Sequence, residues 1–202
     1  MTKADILLTG VGGQGVILAS DALAEIAVKA GYDVKKSDSL GMSQRGGSVV
    51  SHLRIGENVF SPLIKRGDAD FLLGFERLEG VRWADSLRKD GIAIINSLAI
   101  PPLSVVGGAS KYPSVSETEE IVRERTDQIY FVPGTEIAAE LGNPQVLNVL
   151  LVGFLSIFLD IDENSYIEDL SQRVPSKFLE INLKAFARGR EEALQRRDNR
   201  DH

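Results

Sequence analysis

The sequence contains no cysteine. Disulfides, zinc–thiolate centres, cysteine nucleophiles and iron–sulfur clusters held by the chain's own ligands are excluded together. It has only two histidines, His52 and the terminal His202, too few for a histidine metal cage or a histidine-based triad. Positive charge is also short: 23 lysines and arginines face 29 aspartates and glutamates, for a net charge of −6. With no basic stripe laced with aromatics, nucleic acid is not an expected partner. The longest apolar stretch, residues 146–159, is interrupted by Asn148 and Ser156. It is too short to span a bilayer, so no membrane association is expected. The first five residues lead directly into an apolar run without a signal-peptide pattern, which predicts a cytoplasmic protein.

What is present points to an α/β fold. The 202 residues are 43% apolar, enough for one sizeable core. A single domain over residues 1–195 is expected, followed by a charged tail at 196–202 that should be disordered. The chain is organised around I-L-L-T-G-V-G-G-Q-G at 6–15. An apolar strand meets a glycine-dense turn, and a helical pattern follows through Val16, Leu23 and Ile26. Strand, glycine turn and helix open a Rossmann-like unit. Gly10, Gly12 and Gly15 fit G-x-G-x-x-G. Glycines permit a tight turn at positive φ, and the helix start presents free N–H groups to an anion. The same glycines could instead serve only to pack the helix on the sheet.

Further along, Gly31 is expected to end the first helix, and residues 32–35 read as a short second strand. Asp38 is the acid available for a ribose hydroxyl in a dinucleotide fold, although Lys35 and Lys36 crowd it. The next stretch, Leu40-Gly41-Met42-Ser43-Gln44-Arg45-Gly46-Gly47-Ser48, places a hydroxyl, an amide and a guanidinium between glycines. Arg45 could fork two hydrogen bonds onto a carboxylate or phosphate, so a binding loop is preferred to an ordinary surface turn. Residues 49–55 alternate as a strand and are expected to form an inserted β-hairpin with Val59-Phe60-Ser61. His52 on that strand reads as structural.

Strands are predicted at 70–75, 91–96 and 128–132, with a helix after the first of them through Leu78 to Leu87. A capping box at Ser116 begins a charged helix, and a short helix covers 135–141. Asn143-Pro144 should start an almost wholly apolar helix to about Leu159, buried in the core or under a partner. Asn164 and Pro175-Ser176 introduce two C-terminal helices. The fold class is thus a Rossmann-like, mostly parallel sheet flanked by helices, with an inserted hairpin and C-terminal helices. Gly67-Asp68-Ala69 followed by Asn96 superficially suggests a metal and thiamine diphosphate motif, but Ala69 and Ser97 break it. Asp68 also precedes its strand whereas Asn96 ends its own, which puts them at opposite sheet edges. No metal site in the chain is expected.

The two glycine stretches, G-V-G-G-Q-G at 10–15 and G-M-S-Q-R-G-G-S-V-V-S-H at 41–52, resemble the small, gamma-type subunit of indolepyruvate ferredoxin oxidoreductase, in the 2-oxoacid:ferredoxin oxidoreductase family. The likeness extends through S-P-L-I at 61–64, E-L-G-N-P at 140–144 and V-P-S-K-F-L-E-I-N-L-K-A-F at 174–186. The resemblance implies an enzyme subunit that is not catalytic alone. A larger, cysteine-bearing partner would hold thiamine diphosphate, Mg2+ and iron–sulfur clusters. Together they would oxidatively decarboxylate an arylpyruvate to an acyl-CoA, with coenzyme A as co-substrate and ferredoxin as electron acceptor. It also implies that Gly12, Gly13, Gln14 and Gly15 line the ligand side of the first turn. Met42, Ser43, Gln44, Arg45 and Gly46 would then face the cofactor, substrate or coenzyme A phosphates across the subunit interface. One departure is Leu40, where the family commonly has a histidine; a polar contact is lost there and the 2-oxoacid preference is left open. Two other readings compete. One is a free-standing nicotinamide-dependent dehydrogenase, for which His52 is the sole acid–base candidate near neutral pH. The other is a non-catalytic nucleotide-binding or assembly module.

Overall fold

The computed structural model describes residues 3–41, 46–108 and 110–199. Six strands form one mixed sheet: β1 (Ala4–Val11), β2 (Asp33–Leu40), β3 (Ser48–Gly56), β4 (Ala69–Gly74), β5 (Leu87–Asn96) and β6 (Ile129–Val132), in the order β2-β3-β1-β4-β5-β6. β1, β4, β5 and β6 run parallel, whereas β3 is antiparallel to both β1 and β2. All eight residues of β1 are buried, as expected for a central strand covered on both faces.

The helices are α1 (Val16–Lys29), α2 (Arg77–Arg82), α3 (Leu103–Val106), α4 (Val115–Arg123), α5 (Gly134–Glu140), α6 (Leu147–Ser156), α7 (Glu163–Arg173) and α8 (Ser176–Asp198). The strands' period of two divides the core. Ile6, Leu8, Leu53, Leu73 and Ile94 pack under α1, α6, α7 and α8. Leu7, Val50, Leu72, Ala93 and Ile95 face the other way, with Ile64 and with Val122 of α4. α6 is apolar on nearly every side because it lies beneath α8. Gly153 and Gly189 set their separation: an added Cβ would lie 2.3 Å from Phe186 O or 2.0 Å from Leu150 O. Gly31, at φ 90°, closes α1 as expected. Its N–H binds Val28 O, and the Tyr32 N–H reaches back to Ala27 O, the paired bonds of a Schellman end.

Several expected details are corrected. The hairpin is β2 with β3, in register from Asp33 opposite Gly56 to Leu40 opposite Val49. Residues 59–61 are not a strand; they belong to a connection held by a bond from Val59 N–H to Asp33. β2 is longer than its pattern suggested, because its polar residues suit a sheet edge and the ladder with β3 holds it. The helix expected to reach Leu87 stops at Arg82, followed by a 3₁₀ turn at Ala84–Ser86, and Leu87 already belongs to β5. The capping box lies two residues earlier, with Ser114 and Glu117 exchanging bonds. Asn143 caps a 3₁₀ turn at Pro144–Val146 ahead of α6, and α6 stops at Ser156. Asp162, not Asn164, caps α7. α8 continues through Asp198, where Arg196 binds Glu192 and the Phe131 carbonyl, so helix persists into the charge run. Among the described residues no helix is long and apolar enough to cross a membrane.

Candidate functional site at the carboxyl edge of the sheet

The ends of β1, β4 and β5 meet at one edge, where ligands bind in open α/β sheets. The turn after β1 is built by its own side chains. Gln14 accepts from Val11 N–H at 2.8 Å and donates through Nε2 to Phe75 O at 2.9 Å. Phe75 O also accepts from Asn96 Nδ2 at 2.8 Å, and that amide nitrogen lies 2.9 Å from Thr135 Oγ1. One strand-end carbonyl therefore ties together the glycine turn, β4 and β5. Gly10 needs its missing side chain: a Cβ would meet Phe75, Val16 and Gln14 at 2.8–2.9 Å.

Gly15 is the N-cap of α1, in the left-handed region at φ 81° and ψ 24°, with no side-chain cap and no acid in the first turn. The first-turn N–H groups of α1 and its positive dipole end are arranged to favour an anion. Gly13, at φ 105°, is exposed and has nothing within 4 Å of where a Cβ would sit. Asn148 packs against Gly15, with its Nδ2 2.9 Å from the position of an added Cβ. A cleft of about 620 Å³ opens here. Gly13 and Gly15 form one end, Leu98 and Ile100 one wall, and Leu18 and Phe178 an apolar continuation between α1 and α8.

The second glycine stretch is anchored to the first. Gly12 N–H donates to Gly47 O at 2.8 Å, and Gly41 N–H donates to Ser48 O at 2.8 Å. Gly46, at φ 80°, directs its N–H toward Gly12 O at 3.5 Å. Gly12, Gly13, Gln14, Gly15 and Gly46 are thus gathered in one place. Met42, Ser43, Gln44 and Arg45 lie outside the described residues. Gln14 has its amide committed to the protein on both sides, so its side chain is a brace of the turn. Sequence reasoning missed Asn148, Leu98 and Ile100 as parts of the cleft; only the polar interruption of an apolar helix signalled Asn148.

Two other expectations lie elsewhere. Asp38, on an antiparallel edge strand, binds Lys36 at 2.7 Å and accepts from Ser51 Oγ at 2.6 Å. It is not the acid of a parallel second strand. His52 accepts from Ile64 N–H through Nδ1 at 3.3 Å and meets Trp83 edge-on at 6.2 Å. Burial holds its pKa below the usual histidine value. Asp68 precedes β4 and Asn96 ends the parallel β5, so they occupy opposite edges. Among the described residues no group of three or more histidines or carboxylates could hold a metal.

Residues 5–192 match the family model for pyruvate ferredoxin/flavodoxin oxidoreductase. The chain is 37% identical over 192 residues to the indolepyruvate oxidoreductase subunit IorB of Thermococcus kodakarensis, covering 94% of this chain and 95% of that protein. It is 29% identical over 200 residues to the 2-oxoglutarate synthase subunit KorC of Methanocaldococcus jannaschii, covering 96% and 95%. Its fold is similar to the gamma subunit of a keto/oxoacid ferredoxin oxidoreductase from Geobacter sulfurreducens, with a TM-score of 0.70 at 24% identity, covering 95% and 99%. It is also similar to part of a 2-oxoglutarate:ferredoxin oxidoreductase from Magnetococcus marinus, with a TM-score of 0.75 at 22% identity, covering 96% of this chain and 32% of that one. The strand–glycine turn–helix unit, the second glycine stretch docked on it and these likenesses agree: the chain belongs to the pyruvate ferredoxin/flavodoxin oxidoreductase family, as a small subunit of the 2-oxoacid:ferredoxin oxidoreductase type.

Proposed function

We propose that this subunit serves an arylpyruvate-oxidising enzyme of the indolepyruvate type and completes an active site held mainly by a larger, cysteine-bearing partner. One observation carries the choice of substrate class: identity is 34–37% to four indolepyruvate oxidoreductase subunits and 27–29% to three 2-oxoglutarate synthase subunits. The donor set supports the division of labour. Iron–sulfur clusters take thiolate ligands, and this chain has none. Thiamine diphosphate with Mg2+, bound to the partner, would supply the electron sink for decarboxylation. Electrons would leave to ferredoxin, and coenzyme A would accept the acyl group. The Magnetococcus marinus enzyme similar in fold is described with coenzyme A and succinyl-CoA bound.

This chain's part is binding and enclosure. The α1 start and Gly12–Gly15 turn suit an anionic group, a carboxylate or a coenzyme A phosphate. Arg45, in the second glycine stretch of the sequence, would add a forked contact. The apolar wall of Leu98, Ile100 and Leu18 would exclude water beside it. The nicotinamide reading loses ground because Asp38 is engaged with Lys36 and Ser51 and His52 lies over the mid-strand face.

The test is to isolate the tagged chain anaerobically from its own cells and assay dye reduction with indolepyruvate, coenzyme A and thiamine diphosphate. A brown complex with a cysteine-rich companion, active in this assay, is expected, and Arg45→Ala should raise an apparent KM about tenfold, the effect of losing roughly 1.4 kcal/mol of binding. A colourless chain that purifies without a companion would overturn the proposal.

A further inference from the structure

α2 is drawn unusually close to the sheet. A Cβ on Gly74 would come within 3.1 Å of Gly80 Cα, and one on Gly80 within 3.1 Å of Ile95 Cγ1. This approach buries two acids of one helical turn beside the candidate site: Glu76 is 1% exposed and Glu79 4%. Glu79 accepts from Ser48 Oγ at 2.6 Å and from Arg82 Nη1 at 2.5 Å. Glu76 caps α2 by accepting from Glu79 N–H at 2.9 Å. Its other oxygen accepts from Ile100 N–H at 2.8 Å and from the Tyr112 hydroxyl.

Each acceptor leads to a different wall. Ser48 is the exit of the second glycine stretch. Its carbonyl takes the Gly41 N–H, and the preceding carbonyl, on Gly47, takes the Gly12 N–H. Ile100 forms a wall of the cleft. The two acids thus sit between the glycine stretch on one side and the connection after β5 on the other. Buried carboxylate–donor bonds are among the stronger and more directional ones, and leaving one partner unpaired is costly.

We propose that Glu79 is a positioning residue for this site. Through Ser48 it fixes the base of the second glycine stretch against the first turn, and through the Glu76 cap it keeps that base in register with the Ile100 wall. The proposal rests on the functional reading above only in assigning what the positioned elements bind. It predicts that Ser48 and Glu79 act as one unit. Ser48→Ala and Glu79→Ala should each raise an apparent KM, for the 2-oxoacid or coenzyme A, about tenfold with kcat near that of the unchanged complex. The double variant should be no worse than either single one, as expected for two ends of one interaction.

The experiment pairs this kinetic split in the complex with amide hydrogen exchange on the full chain. Ser48→Ala should accelerate exchange at Gly41 and Gly12 about tenfold and leave Phe75, whose N–H binds Thr9 O, unchanged. Ser156→Ala, which removes a buried bond to Gly153 O and the one accepted from Arg190 Nη1, away from the cleft, serves as the control for lost stability alone. If the Ser48 and Glu79 variants merely follow that control, lowering the melting temperature with KM unchanged, the proposal is wrong. If the unchanged complex does not oxidise an arylpyruvate, the functional reading fails, and exchange at Gly41 and Gly12 alone decides the positioning role: acceleration sustains it, and no change overturns it.

Discussion

The α6–α8 seam gives the sharpest stability prediction. Gly189 lets the α8 backbone rest on α6, and a methyl there would stand 2.0 Å from Leu150 O and 2.9 Å from Phe154 N. A carbon–oxygen contact needs about 3.3–3.6 Å, the range of close C–H···O approaches, so Gly189→Ala forces the helices apart by more than about 1 Å. The obstruction is backbone on both sides, and no rotamer change relieves it. A radial gap of that size forfeits roughly a quarter to a half of the dispersion well of each facing atom pair. The facing residues include Leu150, Phe154, Ala185 and Phe186, all buried. Overpacking costs typically run to about 1–3 kcal/mol and more where nothing can yield. The gain in helix propensity on replacing glycine with alanine is about 1 kcal/mol. Because backbone faces backbone, the cost falls at the upper end of the overpacking range, so a net loss of about 2 kcal/mol follows, or about 4–8 °C in melting temperature for a domain of this size. Thermal and urea melts of Gly189→Ala beside Lys184→Ala, an exposed position on the same helix, provide the assay. Stability within 0.5 kcal/mol of the parent, or above it, would refute the close-packing argument.

Three further outcomes are expected. His52 has a folded-state pKa below its unfolded value of about 6.5, so the folded chain binds fewer protons. Stability should therefore fall as pH drops from 7 through 6.5 and level off below the folded pKa. His52→Gln should flatten that slope in urea titrations between pH 7 and 5, and an unchanged slope would remove His52 as its source. Arg54 grips the buried Asp5 with two bonds, at 2.8 and 3.1 Å. Arg54→Leu should cost about 3 kcal/mol, the scale for stranding a buried charge, although Lys3 at 3.2 Å screens part of it; equilibrium unfolding within 0.5 kcal/mol of the parent would contradict this. Gly15→Ala meets both a positive φ and the Asn148 side chain. It should lower stability by about 1–2 kcal/mol and weaken anion binding at the turn, read by thermal shift with coenzyme A against an untreated sample.

The sequence made the local parts of this fold readable and left the non-local ones hidden. The β1–turn–α1 unit carries its own periodicity and glycines, and continuous apolar runs mark β4 and β5. The pairing of β3 with β2 is not legible, because an alternating strand specifies its face and not its neighbour. The polar β2, whose stability comes from the ladder to β3, gave little apolar signal. At the site, the glycines identified the place where a backbone must turn. The role of Gln14 as a brace depends on Phe75, 61 residues away. The Ser48–Glu79 bond spans 31 residues, and no spacing rule connects such pairs. Helix ends differ by a few residues for a related reason: Ser114 and Asp162 are better-placed caps than Ser116 and Asn164.

The central claim is tested most directly by the substrate preference of the intact complex. The tagged chain and its companion, isolated anaerobically, should be assayed by low-potential dye reduction with thiamine diphosphate and coenzyme A, comparing indolepyruvate and phenylpyruvate with pyruvate and 2-oxoglutarate. The account predicts kcat/KM at least about tenfold higher for the aryl substrates, the factor given by roughly 1.4 kcal/mol of differential transition-state binding. A preference for 2-oxoglutarate or pyruvate, or reduction of nicotinamide in place of the dye, would contradict it.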